Sequence, residues 1–176
     1  VLYAEPDYIA ELSSKATAST FSNDPDYDDW AYNQVNAFEA WDYATDANAI
    51  GPIAIIDTGI EVTHTDLVNN LWINTDEIAG NGIDDDGNGY IDDVHGIDLG
   101  SFNYNHGTAV AGTLCAEGNN GIGIVGSAWS CQLMNIKAVY DESQIISSIL
   151  QAVDYALLNR SRISNHSWRI STFSFA

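Results

Sequence analysis

The sequence predicts an α/β fold built on a mostly parallel sheet. Two observations carry this. "GPIAIID" (51–57) is a continuous apolar run, opened by Gly-Pro and stopped by Asp-Thr-Gly. That is how a strand buried on both faces reads. Strand-like and helix-like segments then alternate along the chain, as crossovers between parallel strands require.

Taken in order, "VLYAEPDYI" is β-prone, and residues 1–22 end in a Ser/Thr/Ala-rich stretch that reads as a linker. Residues 35–44 suit a short helix, then comes the strand 51–57, and 65–72 suits a second short helix. The acidic, Gly-rich segment 80–93 reads as loop, and "VHGIDL" (94–99) as a strand. From His106 to Ala116 small and apolar residues recur as in a packed helix. "QLMNIKAVY" (132–140) is strand-like. Residues 143–159 put Ile145, Ile149, Ala152 and Ala156 on one helical face, with Ser143 as N-cap. "RISNHSW" (162–168) reads as a further strand.

The 176 residues suffice for one domain with a core. With 25 acidic against 5 basic residues the net charge is -20. Such a chain is repelled by nucleic acid and by anionic membranes, so neither is an expected partner. No run is long enough to span a membrane. The acids gather in 23–29 and 81–93, which suits divalent cations or solubility. Cys115 and Cys131 form no CxxC motif, and a disulfide and two buried thiols fit equally well.

Two residues stand where chemistry collects. Asp57 ends a buried strand, the end at which open α/β sheets gather ligands and catalytic groups. Taken alone it reads equally as the start of a turn. His106 opens the small-residue helix, where an imidazole can face a cleft or merely cap the helix. His64, His95 and His166 are expected to be structural.

Together, "IAIIDTGIEVTHTDL" and "NHGTAVAGT" resemble the Asp and His motifs of the subtilase (subtilisin-like) serine peptidases. The resemblance runs from about Asn23 to Trp168. Ala109 stands where the family usually has a second histidine, and Thr65 where it has proline. The Asp-then-His order matches subtilisin, the standing example of that arrangement. The resemblance implies an incomplete subtilisin-like three-layer fold, lacking the C-terminal strands and the serine-bearing helix. It implies His106 as general base and Asp57 as the group that orients it. Ser167 and Trp168 in "SNHSW" would contact an extended peptide substrate. Residues 1–22 would be propeptide tail and linker, making the chain's own propeptide a second partner, and the enzyme would be secreted.

Calcium is expected at two places. Asp84, Asp86, Asn88, Gly89, Tyr90 and Asp92 occupy positions 1, 3, 5, 6, 7 and 9 of an EF-hand-type loop, with Tyr90 giving its carbonyl. Position 12 is His95 rather than Glu, and Asp93 is the expected substitute. The plain alternative is a solvated charge run. The family resemblance alone implies a second site of Asp24, Asp66 and Asn120, completed by carbonyls of Gly118, Ile122 and Ile124.

No Gly-Thr-Ser sequence occurs in the chain, and the resemblance stops at Trp168. Arg169 stands where the family has glycine, and 169–176 match nothing in it, as a frame shift or truncation would produce. The expectation is therefore a fragment, residues 23–168 being the N-terminal part of a catalytic domain, inactive without its serine and oxyanion-hole Asn and prone to aggregate through an unpaired strand edge. The competing readings are a non-catalytic calcium- or peptide-binding remnant and an acidic interaction domain without metal. Neither accounts for Asp57 and His106 both lying in intact motifs.

Overall fold

The computed structural model describes residues 20–26, 29–100, 105–138 and 145–167, the side chains at 29, 145 and 146 excepted. The expected α/β architecture is present. The described strands are β1 (Ile53–Asp57), β2 (Gly96–Asp98), β3 (Leu133–Lys137) and β4 (Ile163–Asn165). They form one sheet in the order β2-β3-β1-β4, with every pairing parallel. β1 and β3 run in register from Ile53 opposite Leu133 to Asp57 opposite Lys137.

The alternation of β1 side chains sets the layers. Ile53 and Ile55 pack on one face with Ala111, Cys115 and Leu67, under helix α3 (His106–Cys115). Ala54 and Ile56 pack on the other with Ala152, Tyr155 and Ala156 of helix α4 (Ile145–Leu158). Small residues at 107, 111 and 112 are buried in α3, so the helix lies close to the sheet. On α4 the buried positions are Ser148, Ala152, Tyr155 and Ala156, while Ile149 is half-buried. The core-facing stripe is thus rotated toward Tyr155, because its large ring fills the space beside Trp72 and Tyr90. The expected cap Ser143 lies outside the described residues, as do 1–19, Trp168 and 169–176.

Two expected helices differ. The helix expected at 35–44 is shortened to α2 (Ala37–Trp41), and a helix the sequence did not announce, α1 (Asp29–Gln34), precedes it. Asn36, whose φ of 53 places it in the left-handed region, separates the two. The stretch 65–72 forms only a 3-10 turn at Val68–Asn70. Its end is drawn off toward the sheet: the Trp72 amide donates to the Leu133 carbonyl. The Asn70 side chain is buried and donates to the carbonyls of Cys115 and Trp129.

An aromatic cluster that no periodicity announced covers one side. Phe38, Trp41 and Trp129 stack edge-on at 5.4 Å spacings, and Trp41 Nε1 donates to the Ser127 carbonyl at 2.9 Å. Phe21, assigned by sequence to the linker, lies 4.8 Å from Phe38.

Cys115 and Cys131 form a disulfide, tying the end of α3 to the approach to β3. Residues 126–128 supply the missing helix cap, with the amides of Gly126, Ser127 and Ala128 donating to the carbonyls of Ala116, Thr113 and Leu114. Closing a loop with a sequence separation of 16 restricts the unfolded chain by about 3 kcal/mol. The double replacement Cys115→Ala/Cys131→Ala is expected to lower the thermal midpoint by roughly 10 °C. Thermal denaturation of both chains under non-reducing conditions measures this.

Candidate active site

The end of β1 and the start of α3 meet at one place. Asp57 is the last residue of β1 and is 1% exposed. His106 is the first residue of α3, with its side chain 53% exposed. Nδ1 of His106 lies 2.7 Å from Oδ1 of Asp57. That oxygen also accepts the Thr58 amide at 2.7 Å. Asp57 Oδ2 is buried and accepts no hydrogen bond from a described residue. A carboxylate at Nδ1 holds the ring proton there and leaves Nε2 to accept or deliver a proton.

The turn after β1 and the first turn of α3 are fastened at several points. Gly107 N–H donates to Thr58 Oγ1 at 3.0 Å, and Glu61 N–H donates to Thr108 Oγ1 at 2.9 Å. Between these bonds the backbones touch. A Cβ on Gly107 would lie 2.4 Å from the Gly59 carbonyl oxygen. Gly59 has a φ of +98, which lets the chain leave β1 and turn under the helix. Two clefts open beside the first turn of α3, both lined by Glu61, Asn105 and Thr108. One of about 260 Å³ reaches Thr58, Glu61, Asn105, Asn135 and Lys137. The other, about 680 Å³, is lined by His64, Leu67, Asn105, Ala109, Gly112 and Ile124.

Ser167 is exposed beyond β4, the edge strand of the described sheet, and accepts a hydrogen bond from Asn165 Nδ2. Trp168 lies outside the described residues. His64 Nδ1 accepts the Asp66 amide, and His95 Nδ1 lies 2.9 Å from the Trp72 carbonyl.

The acidic loop folds around carboxylates. One oxygen each from Glu77, Asp84 and Asp86 lie within 4.8 Å of one another. This hard-oxygen donor set fits calcium. Asp84 accepts the amides of Asn88 and Gly89, which curls the loop. Asn88 receives the Tyr90 amide on Oδ1 and donates to Asp86 and Asp93. Asp92 turns its carboxylate to the amides of Asn81 and Gly82, outside the three-carboxylate cluster. Asp93 is buried and is held by Asn74, Asn88 and Tyr155. Burial and the bond to Asp93 push the Tyr155 phenol well above its ordinary pKa, so it stays a donor.

Glu77 is the residue that sequence reasoning missed. It is buried and accepts the amides of Asp85, Asp86 and Asp92. The EF-hand pattern directs the search for a further carboxylate downstream, whereas the one that joins Asp84 and Asp86 lies upstream. A lone Glu in "NTDEIAGNGIDDDG" was its only trace.

Asp24, Asp66 and Asn120 are brought onto one loop. Asp24 is buried and accepts the amides of Asn119, Asn120 and Gly121. Asp66 is buried and accepts Asn120 Nδ2 at 2.9 Å and the Ile124 amide at 3.1 Å. Gly118, next to Asn119 in the chain, donates its backbone N–H to the Trp129 carbonyl. Ile122 donates to Asn120 Oδ1.

A model of the subtilase family matches residues 52–173. The chain is 37% identical over 130 residues to subtilisin-like protease 1 of Plasmodium berghei (strain Anka), covering 69% of this chain and 22% of that protein. It is 33% identical over 168 residues to the thermophilic serine proteinase of Bacillus sp. (strain AK1), covering 94% and 36%. It is 32% identical over 143 residues to the extracellular protease of Xanthomonas campestris pv. campestris, covering 72% and 24%. The chain thus spans 22% to 36% of the length of these relatives.

The contact between α3 and the β1 turn makes two glycines on one helix respond differently. Gly107→Ala is expected to destabilise by about 1–3 kcal/mol through overpacking. At Gly112 an added Cβ meets Ile124 at an ordinary 3.6 Å, so Gly112→Ala is expected to be neutral or stabilising by up to about 1 kcal/mol. Urea denaturation of the two variants tests the contrast.

Proposed function

The chain belongs to the subtilase family, and from that premise we propose that it is the Asp- and His-bearing part of a secreted, calcium-dependent serine endopeptidase. The observation that carries the reading is the 2.7 Å pairing of His106 Nδ1 with Asp57 Oδ1. In this role His106 Nε2 takes the proton of a nucleophilic serine as it attacks the peptide carbonyl, then returns it to the leaving amine. Asp57 holds the ring in the Nδ1–H tautomer and stabilises the imidazolium formed in between. Ser167 and Trp168 contact the extended substrate backbone beside β4. Residues 23–168 form the N-terminal part of the catalytic domain, and 1–22 the propeptide tail and linker. The name of the Xanthomonas relative as an extracellular protease supports secretion. Among the described residues no helix is long and apolar enough to cross a membrane.

On this reading the nucleophile lies outside these 176 residues, which contain no Gly-Thr-Ser sequence. The purified chain is therefore expected to leave a chromogenic peptide uncleaved. Turnover lost on His106→Ala would refute that inactivity while keeping the role of His106; turnover unaffected by the substitution would refute the role itself. In a longer protein carrying this segment and a serine, His106→Ala and Asp57→Asn should both act on kcat. Subtilisin is the standard worked case, losing about 2 × 10⁶ without its histidine and about 3 × 10⁴ without its aspartate.

Calcium is proposed at the acidic loop, held by Asp84, Asp86, Asn88 and the Tyr90 carbonyl, with Glu77 in place of Asp92, whose carboxylate is taken by the Asn81 and Gly82 amides. It is also proposed at the loop that joins Asp24, Asp66 and Asn120 to the carbonyls of Gly118, Ile122 and Ile124. Bound ions supply positive charge to buried carboxylates and fix both loops. At calcium a hundredfold above Kd the folded chain gains about 2.7 kcal/mol per site, so its melting temperature should rise. Glu77→Gln should weaken the acidic-loop site in calorimetric titration. A melting curve indifferent to calcium and chelator counts against both sites.

A further inference from the structure

Lys137 ends β3, in register with Asp57 on one side and Asp98 on the other. Its side chain is only 10% exposed, and Nζ reaches Asp98 Oδ2 at 3.0 Å. Between backbone and ammonium, the methylene stem lies against two glycines. A Cβ built on Gly59 would be 3.1 Å from the Lys137 Cδ, and one built on Gly100 would be 3.3 Å from its Cγ. The stem is therefore a filled layer between the turn that follows Asp57 and the segment that follows β2.

The far side of Gly59 is the surface on which α3 sits. Its carbonyl meets Gly107, and the neighbouring Thr58 Oγ1 receives the Gly107 amide. Lys137, Gly59 and Gly107 are thus stacked so closely that a Cβ on either glycine would crowd the next group, and His106 adjoins the last of them. We propose that the Lys137 stem is a positioning element for the active-site pair, supporting the Asp57–Gly59 turn at the height where His106 Nδ1 meets Asp57 Oδ1. The ammonium's part is to anchor the stem to Asp98. The proposal rests on the reading of Asp57 and His106 as a working pair and adds a third residue to it. Displacements of the order of 1 Å at such sites cost about a hundredfold in rate, so a support of three or four methylene groups is consequential.

The test reads the tautomer of His106 in the 176-residue chain, from its ring ¹⁵N shifts at alkaline pH where the imidazole is neutral. The wild-type chain is expected to favour Nδ1–H. Lys137→Met, which keeps an unbranched stem without charge, should preserve that preference. Lys137→Ala should reduce the ratio of Nδ1–H to Nε2–H by roughly tenfold, the loss expected when a hydrogen bond to a charged group is given up. Melting temperatures are recorded in parallel. A Lys137→Ala chain that melts lower but keeps the wild-type tautomer ratio makes the lysine merely structural and overturns the proposal. Equal loss in Met and Ala also overturns it, since the charge and not the stem would then be responsible. Should Lys137→Ala fail to fold, Gly100→Ala decides, because it presses on the same stem from the opposite side; an unchanged ratio there overturns the proposal. A wild-type chain without Nδ1–H preference sinks the pair itself, a result distinct from the failure of Lys137 alone.

Discussion

The close approach of α3 to the turn after β1 is the constraint on which the site depends. Asp57 and His106 are 49 residues apart in sequence, so only the packing of the helix onto the turn brings them to hydrogen-bonding distance. That packing leaves no room for side chains where Gly107 meets the Gly59 carbonyl. It replaces side-chain contact with amide-to-hydroxyl bonds from Gly107 to Thr58 and from Glu61 to Thr108. Glycine and threonine flank both chemical residues for this reason. The glycines permit approach, and the threonines satisfy the backbone donors that approach would strand.

Much of the remaining architecture manages negative charge. With 5 Lys and Arg against 25 Asp and Glu, carboxylates cannot in general be buried against cations. Asp24, Asp66, Glu77 and Asp93 are all buried, and the partners seen for them are peptide amides, Asn side chains and hydroxyls. Such charge-assisted bonds are strong, but each carries only part of a positive charge. Two loops concentrate the unbalanced carboxylates, around Glu77 and around Asp24 with Asp66. These are the positions where a divalent cation has the most to stabilise. The same balance explains why Asn recurs in both loops: it offers a donor to one carboxylate while its own oxygen receives a backbone amide.

The sequence was most informative where one local pattern coincided with one structural demand. β1 was legible because it is buried on both faces, which forces an unbroken apolar run. α3 was legible because close packing demands small residues at close intervals. Those two elements placed Asp57 and His106 where chemistry collects, and the resemblance of their motifs to the subtilases made them a pair. The failures have equally local causes. Residues 65–72 have helical spacing, but Leu71 and Trp72 are taken up by backbone contacts to β3, a tertiary demand invisible in the segment itself. Asn36 in the left-handed region divides α1 from α2 without a glycine to announce it. Glu77 reaches the acidic loop from outside the motif that defines the loop. The pairing of Cys115 with Cys131 depends on where 126–131 run over the end of α3, which spacing alone does not specify. Phe38 and Trp41 share α2 but Trp129 comes from a distant segment, and only the folded chain assembles their cluster.

The fixing of α3 at both ends has a consequence for how the site is built. At its N-terminus the helix is held by the β1 turn, with Lys137 beneath. At its C-terminus the disulfide and the amides of 126–128 hold its last carbonyls. A Cβ on Gly126 would lie 2.5 Å from the Cys115 Cα, so this second contact is as close as the first. A helix pinned at two ends by backbone contacts has little freedom to slide or rotate, because either motion breaks close packing at one end to relieve the other. All these contacts come from residues 53–138, that is, from β1, α3, β3 and the segments between them. The contacts that orient His106 toward Asp57 are thus made by the central part of the sheet, beside the β4 edge where substrate is proposed to lie. The Asp57–His106 pairing and the proposed substrate edge lie on different strand ends of the sheet, β1 and β4.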